Sequence, residues 1–268
     1  MEFYGVLEHE TISNKTDSHI EQIKNLGYTA LESGYSESEV SEIRDICLDV
    51  SKKYTENYSD FDLLKIGEGN SYRSPSLLNN KLLKPASNSN LQHLISKMIT
   101  GKFYLNQQNL VINPPNSNQY NQLKFHRDLP YQHFVSSRPL AINALYAVDD
   151  FTIQNGATYV IPASHKSEKF PSESFVSANQ KQISVKAGTF LVLDCMLYHA
   201  AAPNLTNHPR IGLNHVFTTV MFRPQIDWES AIKESQETGW EKFGDLLGLE
   251  YTSPKSVEDY LQRRKSRN

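Results

Sequence analysis

The sequence predicts a mainly β fold, a sandwich or jelly roll, with helices at both ends of the chain. Three observations predict it. From Phe103 onward, short runs rich in β-branched and aromatic residues alternate with turn signals. Helical periodicity is confined to the first hundred residues and to the segment after Pro224. No Gly/Ser linker and no internal repeat interrupts the 268 residues, so one domain is expected over 1–268, with its β core at about 103–224.

Each element has a local reason. Residues 1–16 are polar and expected to be loosely ordered. Ile20, Ile23 and Leu26 stand at helical spacing and stop at Gly27, a helix-ending residue. Tyr28–Leu31 reads as a short strand. Ser36 and Glu39 form a capping-box pattern, and Val40, Ile43, Cys47, Val50 and Tyr54 then mark one face of a helix to about residue 56. Residues 57–88 lack a period and read as a long irregular segment. Leu91–Ile99 is helical again. The predicted strands are Phe103–Leu105, Gln108–Ile112, Leu140–Val148, Ala157–Ile161, Gln182–Val185, Thr189–Leu193 and Ile211–Met221. Asn113-Pro114-Pro115-Asn116, Gln154-Asn155-Gly156 and Lys186-Ala187-Gly188 punctuate them. Helical pattern returns after Pro224 and runs to about Arg264.

Composition narrows the function classes. The net charge of -3 and a basic run limited to Arg263-Arg264-Lys265 give no nucleic-acid surface. No apolar run approaches the roughly 20 residues of a membrane span. The N-terminus lacks the basic-then-apolar order of a signal peptide. Two cysteines, Cys47 and Cys195, lie in apolar patterns and cannot make a disulfide framework. A cytoplasmic protein acting on a small molecule is expected, as a monomer or a homodimer.

Two segments carry chemistry: Phe125-His126-Arg127-Asp128 and Asp194-Cys195-Met196-Leu197-Tyr198-His199, with Arg210 eleven residues after the second. On a strand, residues i and i+2 share a side, so His126 and Asp128 can reach one metal while Arg127 faces away. Two imidazoles and one carboxylate suit Fe(II) and leave positions open for other ligands. The His-x-Asp pattern alone is weak: nine His and thirty acidic residues give about one such match by chance. His19-Ile20-Glu21 also matches but lies in a predicted helix, where i and i+2 diverge. His199 ends a strand that can return to the site. Arg210 starts the next strand and can fork onto a carboxylate, the alternative being a surface ion pair.

Between the two segments lies Asn155-Gly156-Ala157-Thr158-Tyr159-Val160-Ile161-Pro162-Ala163-Ser164-His165. With His126-Arg127-Asp128, His199…Arg210 and the small-residue turn His199-Ala200-Ala201-Ala202-Pro203, it resembles the phytanoyl-CoA dioxygenase family of Fe(II)/2-oxoglutarate oxygenases, which includes ectoine hydroxylase. The resemblance covers about Gln107–Pro224. It implies a double-stranded β-helix (a jelly roll with a cupin-like core), iron held by His126, Asp128 and His199, 2-oxoglutarate held by Arg210, and O2 as co-substrate. It implies hydroxylation of a small molecule with release of succinate and CO2. Desaturation, cyclisation or epimerisation on the same ligands stays open, as does a non-oxygenase jelly roll acting as an isomerase or a 2-oxoglutarate sensor. Gln108 matches a glutamine that touches 2-oxoglutarate in relatives, and Asn143 is a second polar candidate beside the site.

Three positions depart from the family pattern. Ala163 replaces a glycine, Ala201 replaces a serine that can bond 2-oxoglutarate, and Leu145 replaces an aromatic, which argues against an acyl-CoA substrate. Substrate contacts are expected from His133, Tyr72, Arg73 and Arg223, each with an ordinary loop or solvated role as the alternative. His165, His208, His215 and Asp194 are expected to be structural.

Overall fold

The computed structural model describes residues 3–116, 120–129 and 135–266. Helix α1 (Lys15–Leu26) starts on an Asn14 cap and ends at Gly27 in the left-handed region, φ 87°. Strand β1 (Tyr28–Glu32) follows, then α2 (Glu37–Asn57), opened by the Ser36/Glu39 capping box. The segment expected to be irregular contains β2 (Ser71–Arg73), two 3-10 turns and the short α3 (Leu83–Ala86). Helix α4 (Ser89–Met98) leads into β3 (Phe103–Asn113). The core continues with β4 (Ala141–Ala147), β5 (Thr158–Val160), α5 (Glu173–Asn179), β6 (Lys181–Ile183), β7 (Thr189–Asp194), β8 (His199–Ala200) and β9 (Arg210–Thr219). Short helices α6 (Trp228–Glu234) and α7 (Val257–Lys265) close the chain.

Two antiparallel sheets face each other in the expected jelly-roll manner. The large sheet runs β1-β7-β4-β9-β3-β2 and the small one β6-β5-β8. Side-chain alternation assigns the two faces of the large sheet. Ile142, Ala144 and Tyr146 of β4, Phe190 and Val192 of β7, and Ile211, Leu213 and Phe217 of β9 pack in one cluster with Ile43, Cys47 and Val50 of α2 and with Leu91, Leu94 and Ile95 of α4. Burying each large apolar side chain there contributes about 1.5–3 kcal/mol. The opposite face, with Leu191 and Leu193, packs on Val160 of the small sheet. Buried on both faces, β4 and β7 read as largely apolar runs, with Asn143 the polar exception inside β4.

Two expectations are corrected. The strands foreseen at 103–105 and 108–112 are one strand, whose register against β9 shifts between Leu105 and Gln107. That bulge reverses the alternation, so Leu105 and Leu110 both face the helices despite their odd separation. The His126–Asp128 segment is not a regular strand but an isolated bridge to β8. Among the described residues no helix is long and apolar enough to cross a membrane. Cys47 and Cys195 are free and buried, as their apolar settings suggest.

His215 lies in β9 on the helix-facing side, fully buried, with Nδ1 3.0 Å from the Ala144 carbonyl oxygen. Burial pulls its pKa down from 6.5 to about 4. The unfolded chain therefore takes up this proton first, and the stability His215 gives above pH 6.5 is lost as pH falls from there toward 4. Urea midpoints measured across that window should fall with pH. A His215→Gln variant should show a shallower slope, by up to one proton's worth, about 1.4 kcal/mol per pH unit.

Candidate metal and co-substrate site

Backbone pairing brings the ligands together. Val160 of β5 registers with His199 of β8. On the other side of β8, the His126 N–H donates to the His199 carbonyl at 2.9 Å and the His199 N–H donates back at 3.1 Å. The Asp128 N–H donates to the Cys195 carbonyl at 3.1 Å, and the Ala201 N–H to the Gln122 carbonyl at 2.7 Å. One ligand atom from each of His126, Asp128 and His199 lies within 4.8 Å of the others, the one such group among the described residues.

The donor set fits a divalent metal. His126 Nδ1 is 2.8 Å from the Lys124 carbonyl oxygen, and His199 Nδ1 is 3.0 Å from that of Leu197. A carbonyl can only accept, so each Nδ1 carries the proton and each Nε2 presents a lone pair. Burial and the neighbouring His199 hold the His126 pKa below its usual value, which keeps that lone pair available. The Asp128 Oδ2 lies 3.7 Å from His199 Nε2 and accepts from the Asn143 side-chain amide at 2.6 Å.

Arg127, between two ligands, points away as expected. Its guanidinium donates to the carbonyls of Met196 at 2.7 Å, of Ser164 and Glu168 at 3.2 Å, and of Ser167, and stacks on Tyr198 at 4.0 Å. It ties the 164–168 turn to the chain leading into His199. Asp194 caps that same bend by accepting from the Met196 N–H at 2.8 Å, and burial raises its pKa to about 6.

Arg210 opens β9 on the same cavity. Its entry is fixed by Asp149, which accepts from the Ile211 N–H at 2.8 Å and pairs with Arg44 of α2 at 2.7 Å. The guanidinium is 3% exposed, and its Nε and Nη1 have no partner among the described residues. It rests on the Phe151 ring at 4.0 Å. Burial lowers its pKa to about 10, far above neutrality, so the cation persists. Tyr120, also buried on this cavity, keeps its phenol protonated, with a pKa pushed up to about 12 by burial. Gln122, Asn143, Leu145, Thr158 and Asn214 line the remaining wall.

Not every expected residue arrives. Asn143 lines the cavity. Gln108 does not: it registers with His215 on the helix-facing side and donates to the Leu82 carbonyl at 2.7 Å. The one-residue offset gives the metal-facing side to Asn109. Tyr72 pairs with Leu110 and packs edge-on against Tyr54, away from the site. Arg73 registers with Asn109 on the site-facing side, but its fork is taken by Glu68 at 2.7 and 2.8 Å. Arg223 is exposed and lines a separate cleft of ≈ 550 Å³ with Trp228 and Leu247, sharing no lining residue with the metal cavity. His133 lies outside the described residues. His19 sits on α1 beside Thr29 and His165 against the Lys24 carbonyl, and neither joins the group of three ligands. Tyr120 was missed because it stands in a loop without pattern. Asn214 was legible, four residues after Arg210 and thus on its side of β9.

The Asn155–Ser164 motif is architectural. The Asn155 side chain closes its own turn by accepting from the Thr152 N–H at 2.8 Å and donating to the Asp150 carbonyl at 2.7 Å. A Cβ on Gly156 would lie 2.3 Å from the Ala202 carbonyl oxygen, so only glycine lets β5 approach the turn after His199. Ser164 Oγ accepts from the Tyr198 N–H at 2.9 Å.

Residues 23–212 match the model of the phytanoyl-CoA dioxygenase (PhyH) family, and the chain belongs to that family. The uncharacterized protein Rv1501 of Mycobacterium tuberculosis is 34% identical over 114 residues, 42% of this chain and 41% of that protein. The match thus spans about two fifths of that relative's length. Among solved structures, EctD from S. alaskensis, with 2-oxoglutarate and 5-hydroxyectoine, gives a TM-score of 0.61 at 18% identity, covering 88% of this chain and 86% of that one. The alpha-ketoglutarate-dependent carbocyclase SnoK of nogalamycin biosynthesis gives 0.59 at 14%, covering 83% and 93%. At these identities the likeness is one of fold.

Ala163 occupies the left-handed region at φ 63°, a conformation that glycine adopts more readily than alanine. An alanine in that region costs about 1–2 kcal/mol. Replacing Ala163 by glycine should therefore stabilise the protein, by up to about 1 kcal/mol after the entropy of the extra freedom, measured as an upward shift of the denaturation midpoint.

Proposed function

We propose that this chain is an Fe(II)- and 2-oxoglutarate-dependent oxygenase that oxidises a small-molecule metabolite, with hydroxylation the favoured outcome. The observation that carries this reading is Arg210. A buried guanidinium with open N–H groups calls for an anion, because an uncompensated buried charge is costly. Here it shares one cavity with His126, Asp128 and His199. A ligand with a carboxylate at each end, one on the guanidinium and one toward the metal ligands, satisfies both.

His126, Asp128 and His199 hold the iron in this reading. Bound Fe(II) supplies oxygen activation, coupling decarboxylation of 2-oxoglutarate, with release of succinate and CO2, to oxidation of the substrate. The chain's own residues do the rest. Arg210 forks onto the distal carboxylate, and the Tyr120 hydroxyl donates beside it, taking the part of the serine absent at Ala201. Val111, Leu145 and Leu193 give the cavity an apolar wall that limits water. Asn214 and Gln122 offer amides on the same wall, which favours a small polar substrate over an acyl-CoA. Desaturation, ring closure or epimerisation would use the same ligands. The position of the substrate selects among them.

Succinate release from 2-oxoglutarate in air tests this. Asp128→Ala should abolish it, whereas Glu21→Ala, at the rejected ligand pair on α1, should leave it intact. Arg210→Ala should raise the 2-oxoglutarate requirement about 10- to 100-fold, and Tyr120→Phe about 3- to 10-fold. Full turnover in the Asp128 variant, or an unchanged requirement in the Arg210 variant, contradicts the reading. Binding of iron and 2-oxoglutarate without succinate release across a metabolite panel would point to a sensor or an isomerase.

A further inference from the structure

We propose that Asn143 is a positioning residue for the metal site: its amide N–H holds the Asp128 carboxylate in a one-oxygen mode of coordination and so keeps an adjoining position open. The inference rests on the metal reading above and deepens it. It reassigns Asn143 from the co-substrate to the ligand itself.

The geometry is specific. Asn143 Nδ2 donates to Asp128 Oδ2 at 2.6 Å, a short bond. The same Oδ2 is the oxygen 3.7 Å from His199 Nε2, so the amide addresses the oxygen that faces His199. Held by the amide on that oxygen, the carboxylate would be less free to turn and offer both oxygens to a bound ion. Two imidazoles and a one-oxygen carboxylate would fill three positions, whereas a two-oxygen carboxylate would fill four and compete with a chelating 2-oxo acid plus dioxygen.

The amide is also rigidly placed. Asn143 is 2% exposed and lies mid-strand in β4, registered with Leu193 of β7 on one side and Val216 of β9 on the other. Its own Oδ1 is buried without a partner among the described residues. An apolar side chain of the same shape would avoid that unpaired oxygen. The sequence keeps a group that is unfavourable for the fold alone, and the hydrogen bond to Asp128 is what that group provides.

Full-length protein stripped with a chelator is titrated anaerobically with Fe(II) and, separately, with Co(II), as wild type, Asn143→Leu and Asn143→Ala. Wild type is expected to bind one equivalent, and both variants to bind about 10- to 100-fold more weakly. The visible Co(II) spectrum of the variants should shift toward a higher coordination number as the carboxylate rotates. The metal-free Asn143→Leu protein should melt no lower than metal-free wild type. Equal metal affinity and an unchanged Co(II) spectrum in the variants overturn the assignment while leaving the metal site standing. A drop in the metal-free melting temperature with unchanged affinity also overturns it, by making Asn143 a structural residue. Absence of metal binding by wild type overturns both this assignment and the metal reading.

Discussion

The reciprocal backbone hydrogen bonds between His126 and His199 are the constraint on which the site depends. They join two segments 73 residues apart through a bridge at the edge of the small sheet. Neighbouring positions at such a bridge place side chains side by side, and the two imidazole rings sit with centroids 4.4 Å apart. Asp128 then falls beside them because its own N–H is held by Cys195. The surroundings serve this bridge. Arg127 clamps the turn behind it, Gly156 lets β5 come close enough to pair with β8, and Ser164 fixes Tyr198 just before His199.

The second constraint is electrostatic. One cavity carries both an acidic ligand and a buried cation, and among the described residues no carboxylate pairs directly with that cation. Asp149 does not neutralise it face to face; it binds the next backbone N–H and an arginine on α2. The guanidinium is thus held in place by the chain while its Nε and Nη1 have no partner among the described residues. That is the arrangement expected of a receptor for an anion rather than of an internal ion pair. The flat face of Phe151 beneath it supports the plane without using a donor.

Most of the fold and the heart of the site were legible in the sequence, for identifiable reasons. Gly27, the Ser36/Glu39 pair and the alternating runs act locally, so they read directly. His126, Asp128, His199 and Arg210 read through spacing and family pattern. Gln108 and Tyr72 failed for one cause: which side of a strand a residue takes depends on registers that the sequence does not display. The bulge between Leu105 and Gln107 reverses the alternation in β3, turning Gln108 toward the helices and Asn109 toward the site. Tyr72 follows the same rule through its pairing with Leu110, and Arg73 is lost to Glu68, a neighbour in an aperiodic loop. Tyr120 was invisible because nothing in its segment repeats. Asn143 was found as a candidate, but only the 2.6 Å contact shows what its amide touches.

The central claim is that one cavity binds a metal at His126, Asp128 and His199 and a dicarboxylate bridging from it to Arg210. The most direct measurement is a crystal structure of protein grown anaerobically with Fe(II) and 2-oxoglutarate, with anomalous data collected at the iron edge. The account predicts a single strong anomalous peak within bonding distance of His126 Nε2, His199 Nε2 and one Asp128 oxygen, with the far carboxylate of 2-oxoglutarate on the Arg210 guanidinium. Iron bound elsewhere, or 2-oxoglutarate ordered away from Arg210, would contradict it.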